Sequence, residues 1–205
     1  MATIGNPVGF LDTSATPIVG SVANFFEPNC LKQAQITTDT QLVAGDPLVV
    51  LVSQAKAQQA KAQNGEIDGL NPQNQSITAK ATTATSGVNT TNVCGFMIIN
   101  SNDKVTTGGV GVPSQGQICL YAPLGQGAVI WLEVATQNLT GFNTNLDTNT
   151  PITIDSVNGG VKVGSAPDVL AGAKVIQGVT NAQKIAVTNG KPKLVSCKAI
   201  LVQLS

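Results

Sequence analysis

Trp131 and Glu133 have the clearest spacing for chemistry in this chain, because they stand two positions apart in the strand-like segment IWLEVA. Side chains alternate across a strand, so the indole ring and the carboxylate are expected on the same face. An aromatic ring beside an acid could bind a sugar, and paired carboxylates could hydrolyse a glycoside. The competing interpretation is an exposed face with one aromatic residue packed at its edge. One Trp and one Tyr are few for a carbohydrate binder, so the composition favours this second interpretation.

Two further motifs fall short of a ligand site. The glycine-rich segment Gly108-Gly-Val-Gly111 resembles a phosphate loop, but it lacks the Gly-Lys-Ser/Thr ending and a following helix. Glu66 and Asp68 could supply oxygen ligands to calcium, but no acidic twelve-residue loop ending in glutamate surrounds them. We therefore interpret the first as a flexible loop and the second as a solvated turn, and we expect no cofactor and no metal site.

The chain has no histidine and no arginine, since all eleven of its basic residues are lysines. Histidine is the usual general base and metal ligand near neutral pH, and arginine is the residue that most often binds carboxylates and phosphates through two parallel hydrogen bonds. We therefore expect a structural or binding protein and not an enzyme. Eleven acids balance the lysines to a formal charge of zero, and the lysines form no basic patch. This pattern excludes nucleic acid as an expected partner.

The four cysteines are far apart in the sequence and form no metal-binding spacing. They are Cys30, Cys94, Cys119 and Cys197. No basic and apolar leader follows Met1, so we expect synthesis in a cytoplasm and reduced, buried thiols, with a structural disulfide as the alternative. No segment approaches the roughly 18 apolar residues of a membrane span, so no membrane partner is expected.

Charged residues make up only 11% of the chain, while hydrophobic residues make up 42%. Thr, Asn, Gln, Ser and Gly replace the missing charges, and such uncharged polar groups are buried at lower cost than ions. This composition favours a surface that packs against other protein. The same composition is also common in secreted bacterial β-proteins, which leaves that class open.

The first thirty residues differ from the rest, because three prolines and three glycines interrupt short apolar groups. Proline breaks both helices and central strands. We predict that residues 1–30 form an extended arm that docks on a partner, with a segment that wraps its own domain as the alternative. The arm residues expected to contact the partner are Ile4, Pro7, Val8, Phe10, Leu11, Ile18, Val19, Phe25 and Phe26.

Residues 31–205 are predicted to form a single β-domain with a Gln/Ala-rich insertion near 53–91. The turn signal Asn158-Gly-Gly160 stands between the strand-like runs Ile152–Val157 and Val161–Val163 and predicts a hairpin. The signal Asn189-Gly190 stands between Lys184–Val187 and Lys193–Val195 and predicts a second one. The segment Gln54–Gln63 is the one candidate helix. Many short strands at this spacing predict a mainly-β fold, either an antiparallel β-barrel or a β-sandwich, with at most one or two short helices. The other predicted strands are Leu48–Val52, Val93–Ile99, Gln117–Tyr121, Ala128–Ala135 and Cys197–Leu204, with an edge strand near Ile77.

Two short stretches carry a resemblance to a known family. The opening Ile4-Gly-Asn-Pro-Val-Gly-Phe-Leu-Asp12, followed by Ala15-Thr-Pro-Ile-Val-Gly20, is similar to the start of tailed-bacteriophage capsid decoration proteins, also called structural cement proteins. The general plan is similar too, with a Pro/Gly arm, a strand that begins at Gly45-Asp-Pro47, and a C-terminal strand. The Gln54–Gln63 segment departs from that plan.

This resemblance implies a protein of the virion that is made in the host cytoplasm and seated on the outer surface of the phage head. Such proteins are often trimers, and they bridge and stabilise neighbouring copies of the major capsid protein. The alternatives are another virion component, such as a head fibre, a spike or a tail protein, and a secreted adhesin-like or glycan-binding β-protein.

Overall fold

The computed structural model describes residues 16–23, 31–35, 42–50, 79–81, 93–99, 118–142, 150–155 and 157–205. These residues are mainly β, which confirms the predicted fold class. In chain order the strands are β1 (Lys32–Gln35), β2 (Pro47–Val50), β3 (Ala79–Ala81), β4 (Val93–Met97), β5 (Ile118–Pro123), β6 (Ala128–Val134), β7 (Ile152–Ile154), β8 (Val161–Val163), β9 (Ala173–Thr188) and β10 (Lys191–Leu204). A 3-10 helix, Thr136–Phe142, follows β6.

The described strands form two five-stranded sheets. The first has the order β1-β5-β4-β2-β3 and the second has the order β7-β8-β6-β10-β9. The first sheet is antiparallel, whereas the second is mixed because β6 and β8 run parallel. The antiparallel arrangement predicted from the sequence therefore holds for every strand pair except that one. β3 lies at the edge of its sheet, close to the edge strand predicted near Ile77.

Both predicted hairpins are present. β7 and β8 pair around residues 158–160, and β9 and β10 pair around Asn189 and Gly190. Asn189 and Gly190 both have positive φ, as a tight two-residue hairpin turn requires. The second hairpin is much longer than its predicted strands, and the C-terminal half of β10 is a central strand between β9 and β6.

The two sheets pack against each other through one shared core. Phe96 of β4 and Ala122 of β5 lie in the same buried cluster as Ile130 and Leu132 of β6 and Ile200 of β10. Alternate residues of β6 enter this cluster because side chains alternate across a strand. The intervening residues of β6, including Trp131 and Glu133, therefore project from the opposite face of the second sheet.

The N-terminal segment 16–23 lies along the edges of β6 and β9. The N–H of Val19 donates to the Gln183 carbonyl at 2.8 Å, and the N–H of Gly20 donates to the Trp131 carbonyl at 2.8 Å. The N–H of Ala23 donates to Val129 at 2.7 Å. These eight residues therefore wrap their own domain, whereas the arm of residues 1–30 as a whole stays a prediction.

Two glycines allow the N-terminal segment to cross the turn before β2 at close range. A Cβ atom at Gly20 would lie 2.6 Å from the Ala44 Cβ, and one at Gly45 would lie 2.3 Å from Val19 Cγ1. Such separations do not occur between real side chains, so the crossing needs glycine on both segments. The folded domain therefore includes residues 16–23, and a truncation that isolates the arm has to end before Thr16.

Several predicted features lie outside the described residues. They are the helix at Gln54–Gln63, the loop Gly108–Gly111, the acidic pair Glu66 and Asp68, Cys30, and the arm residues Ile4, Pro7, Val8, Phe10, Leu11, Phe25 and Phe26. Their predicted roles stay predictions.

Candidate functional site

A pocket of about 340 Å³ lies between the second sheet and the turn that precedes β2. Four elements meet there, namely this turn, β6, the turn between β7 and β8, and the outer half of β9. The polar side chains that line it are Asp46, Glu133, Asp155, Asn158 and Lys184. The apolar residues of its walls are Val43, Pro47, Ile154, Ile185, Ala186 and Val187.

A close ion pair joins Glu133 of β6 to Lys184 of β9, with 2.5 Å between Lys184 Nζ and Glu133 Oε1. The two side chains are 21% and 34% exposed, so most of each is shielded from water. Glu133 shares a sheet face with Trp131, and Lys184 shares one with Ala182; both Trp131 and Ala182 belong to one small buried cluster. The ion pair therefore spans β10 on that face and links the two strands that flank it.

Asp46 is a further charged group that lines the pocket. Its Oδ2 accepts a hydrogen bond from the Val43 N–H at 2.8 Å, which closes the turn before β2. Burial raises the pKa of the Asp46 carboxyl to about 7, the Val43 hydrogen bond opposes this shift, and Glu133 adds to it. The carboxyl is therefore present both protonated and ionised near neutral pH.

Asp155 lines the pocket and is the centre of a hydrogen-bond network. Its Oδ2 accepts from Asn138 Nδ2 at 2.6 Å and from Asn158 Nδ2 at 3.0 Å. Its Oδ1 accepts from the backbone N–H groups of Val157 at 3.0 Å and Asn158 at 3.1 Å. Burial would raise the pKa of Asp155, but these four hydrogen bonds outweigh it and hold the pKa well below its ordinary value. The carboxylate thus ties the 3-10 helix to the β7–β8 turn.

Gly160 allows the β7–β8 turn to form one side of the pocket. A Cβ atom at Gly160 would lie 2.3 Å from the backbone oxygen of Glu133. The residue also has positive φ, which glycine adopts without strain. The turn signal that predicted a hairpin at residues 158–160 therefore also fixes the approach of this turn to β6.

Trp131 does not accompany Glu133 into the pocket. The two residues share a face of β6 as predicted, but Trp131 is only 7% exposed and packs with Val19, Ala182 and Ala199. The N-terminal segment covers this part of the face, and the sequence of β6 alone does not predict that another segment packs there. A sugar-stacking surface at Trp131 is therefore wrong. The ring is packed, as the competing interpretation predicted, but it lies in a covered part of the face and not at an exposed edge.

Two predicted arm residues fall within the described chain. Val19 is 2% exposed and contributes to the core of its own domain, so in this conformation it is not available to a partner. Ile18 is half-buried and forms a bridge with Gln183. Partner contact by the remaining arm residues stays a prediction.

Cys94, Cys119 and Cys197 are free thiols. Burial raises the pKa of each to about 11, so all three are protonated at neutral pH. Within the described residues, no group of histidine, cysteine or acidic side chains is arranged to hold a metal ion. The same residues include no helix that is long and apolar enough to cross a membrane.

Sequence reasoning missed Asp46 and Lys184 as pocket residues. The sequence predicts only that Asp46 precedes a strand and that Lys184 begins a strand of a hairpin. The two are 138 positions apart, and they meet only because the turn before β2 and the strand β9 line the same pocket. No local spacing carries that information.

Asp46 gives an expected pH dependence of stability. The pKa of the folded carboxyl, about 7, exceeds the unfolded value of about 3.9, so folding takes up a proton between these pH values. Stability is therefore expected to fall as the pH rises from about 4 to about 7. Since Asp46 is half-buried and water screens part of the interaction, we expect a loss of only about 2 kcal/mol.

The variant Asp46→Asn should remove this dependence, because asparagine does not titrate and can still accept the Val43 hydrogen bond. The measurement is chemical denaturation of both proteins at about pH 5 and about pH 8. An equal fall in the stability of both proteins would show that Asp46 is not the group responsible.

Comparison of the chain with models of protein families, with curated proteins and with solved structures found no match.

Proposed function

We propose that this chain is a non-enzymatic structural protein that decorates the outer surface of a tailed-phage head and stabilises neighbouring copies of the major capsid protein. The observation that carries the proposal is the opening of the chain, which is similar to that of capsid decoration proteins over residues 4–20. The low charge agrees with a role in assembly, because charged residues are depleted at the core of protein interfaces.

The β9–β10 hairpin offers a surface for such an assembly. β6 pairs with β10 only from Lys198 onward, and no described strand pairs with the outer edge of residues 191–197. An unpaired edge exposes backbone donors and acceptors to which a partner strand can add. Leu194 is 44% exposed beside this edge and could fill an apolar pocket on the partner.

The charges near the hairpin turn restrict the choice of partner. Lys191 and Lys193 are exposed, and lysines on an edge strand disfavour non-specific pairing with other strands. A capsid protein with an acidic or neutral strand edge would match them. If the protein is a trimer, three such edges and three arms would engage the shell together, so that weak single contacts suffice.

The test is quantitative mass spectrometry of virions purified from the source of the sequence, with the major capsid protein as the internal reference. We expect a copy number of the same order as that of the major capsid protein, since a decoration protein occupies the whole lattice. Far fewer copies would assign the protein to a fibre, a spike or the tail. Its absence from virions would overturn the proposal and favour a secreted β-protein.

A further inference from the structure

We propose that Lys184 and Glu133 condense to an intramolecular amide bond that ties β9 to β6, and that Asp46 is the acid that assists its formation. This bond would be a covalent modification of the folded chain. It depends only on the pocket described above and is independent of the virion assignment.

The geometry brings the reacting groups together. Lys184 Nζ lies 2.5 Å from Glu133 Oε1, which is direct contact between the amine and the carboxyl group. Paired strands hold both residues, because Glu133 is opposite Ala199 of β10 and Lys184 is opposite Val195 of the same strand. Groups fixed in contact react far more readily than the same groups free in solution.

Asp46 supplies the proton transfers. It lines the same pocket as Glu133 and Lys184, and the charges of both residues act on its carboxyl group. With a pKa raised to about 7 by burial, the group can donate and accept a proton at neutral pH, as a general acid and base must. The nearby Cys197 thiol is protonated and does not compete as a nucleophile.

The reaction balances without any co-reactant. A proton moves from the Lys184 ammonium to the Glu133 carboxylate, and the neutral amine attacks Glu133 Cδ to form the C–N bond. The C–OH bond of the tetrahedral intermediate then breaks. Asp46 donates a proton to the departing hydroxyl and receives one from the nitrogen, so it ends as it began. One ammonium and one carboxylate become one amide and one water.

The position of the bond gives it a mechanical consequence. β10 lies between β6 and β9, and the amide would span it on the face that also carries Ala182 and Ala199. Separation of β9 from the sheet would then require rupture of a covalent bond. A cross-link between residues 51 positions apart would also restrict the unfolded chain.

The experiment is the intact mass of the purified, denatured full-length chain, followed by tandem mass spectrometry of its tryptic peptides. We expect a mass below that of the sequence by one water. We also expect a branched peptide that joins residues 105–162 to residues 175–193, because trypsin does not cleave after an acylated Lys184. A mass equal to that of the sequence, after incubation of the folded protein at neutral pH, would overturn the proposal.

Two lysine variants give matched controls. Lys184→Arg keeps the positive charge but cannot form the amide, so it should retain the full mass. Lys198→Arg should still lose one water, because Lys198 Nζ contacts Asn181 Oδ1 at 2.7 Å on the exposed surface, away from Glu133. Cyclisation at Asp68-Gly69 would also release one water, but it does not need Lys184. A mass lower by one water in Lys184→Arg would therefore overturn the assignment.

Asp46→Asn tests the assisting acid separately. This variant should retain the full mass or form the amide far more slowly, although Lys184 and Glu133 are both present. Formation at the rate of the unmodified sequence would show that Asp46 has no part in the reaction.

Discussion

Replacement of Asp155 by asparagine is expected to lower the free energy of unfolding by about 3 kcal/mol at neutral pH. Both carboxylate oxygens accept hydrogen bonds, one from two side-chain amides and the other from two backbone N–H groups. An asparagine side chain has one acceptor and one donor. Its oxygen can serve the two backbone N–H groups, but the amides of Asn138 and Asn158 must then rotate to accept from its NH₂ group, so all the bonds to a charged acceptor are lost.

The size of this effect follows from the position of Asp155. The residue is 2% exposed although it lies near the molecular surface, so water cannot readily replace the lost acceptor. Asp168→Asn is the matched control, because Asp168 is exposed and its replacement should change stability by less than about 0.5 kcal/mol. Denaturant unfolding of the three proteins measures the difference.

The stability that the Asp155 carboxylate contributes should decrease as the pH falls. The pKa of the folded carboxyl is lowered, so its contribution to stability is present above the unfolded pKa of about 3.9 and is lost as the pH falls below that value. The difference between wild type and Asp155→Asn should therefore shrink in acid. An equal difference at about pH 3 and pH 7 would show that the carboxylate charge is not responsible.

The hairpins could be predicted from the sequence because their signals are local. Asn189 and Gly190 accept positive φ at little cost, and the same holds for the two glycines at 159 and 160. Turn residues of this kind act within four or five positions. The hairpins can therefore be predicted without knowledge of any distant part of the chain.

The length of β9 could not be predicted in the same way. Its middle contains Thr180, Asn181 and Gln183, which interrupt any apolar alternation. These residues remain in the strand because β10 pairs with them, with Asn181 opposite Lys198 and Gln183 opposite Ser196. Strand formation there depends on the partner strand more than on the intrinsic preference of the residues.

The candidate site was predictable only in fragments. Glu133 was selected from its strand position, and the structure does place it at a pocket. Its partner there is Lys184 and not Trp131, because the N-terminal segment covers the indole ring. That cover depends on Gly20 and Gly45, which permit two segments 25 positions apart to cross in contact. Such contacts between distant segments leave no periodic pattern in the sequence.

Replacement of Trp131 by alanine is expected to lower the free energy of unfolding by about 4 kcal/mol. The indole ring is buried against Val19, Ala182 and Ala199, so its removal loses apolar contact and leaves a cavity beneath the N-terminal segment. A sugar-binding role would predict the opposite result, in which the fold survives and only ligand binding is lost. Circular dichroism during denaturation is the suitable measurement. Trp131 is the only tryptophan, so the variant has no tryptophan fluorescence with which to follow unfolding.

Leu194→Ala and Trp131→Phe complete this test. Leu194 is 44% exposed, so its truncation should cost less than about 1 kcal/mol. Trp131→Phe keeps an aromatic ring in the cluster and should fall between the wild type and the alanine variant. If Trp131→Ala instead unfolds at the same denaturant concentration as Leu194→Ala, the indole ring does not hold the N-terminal segment on the sheet. The backbone hydrogen bonds of residues 19–23 to β6 and β9 would then hold the segment without the ring.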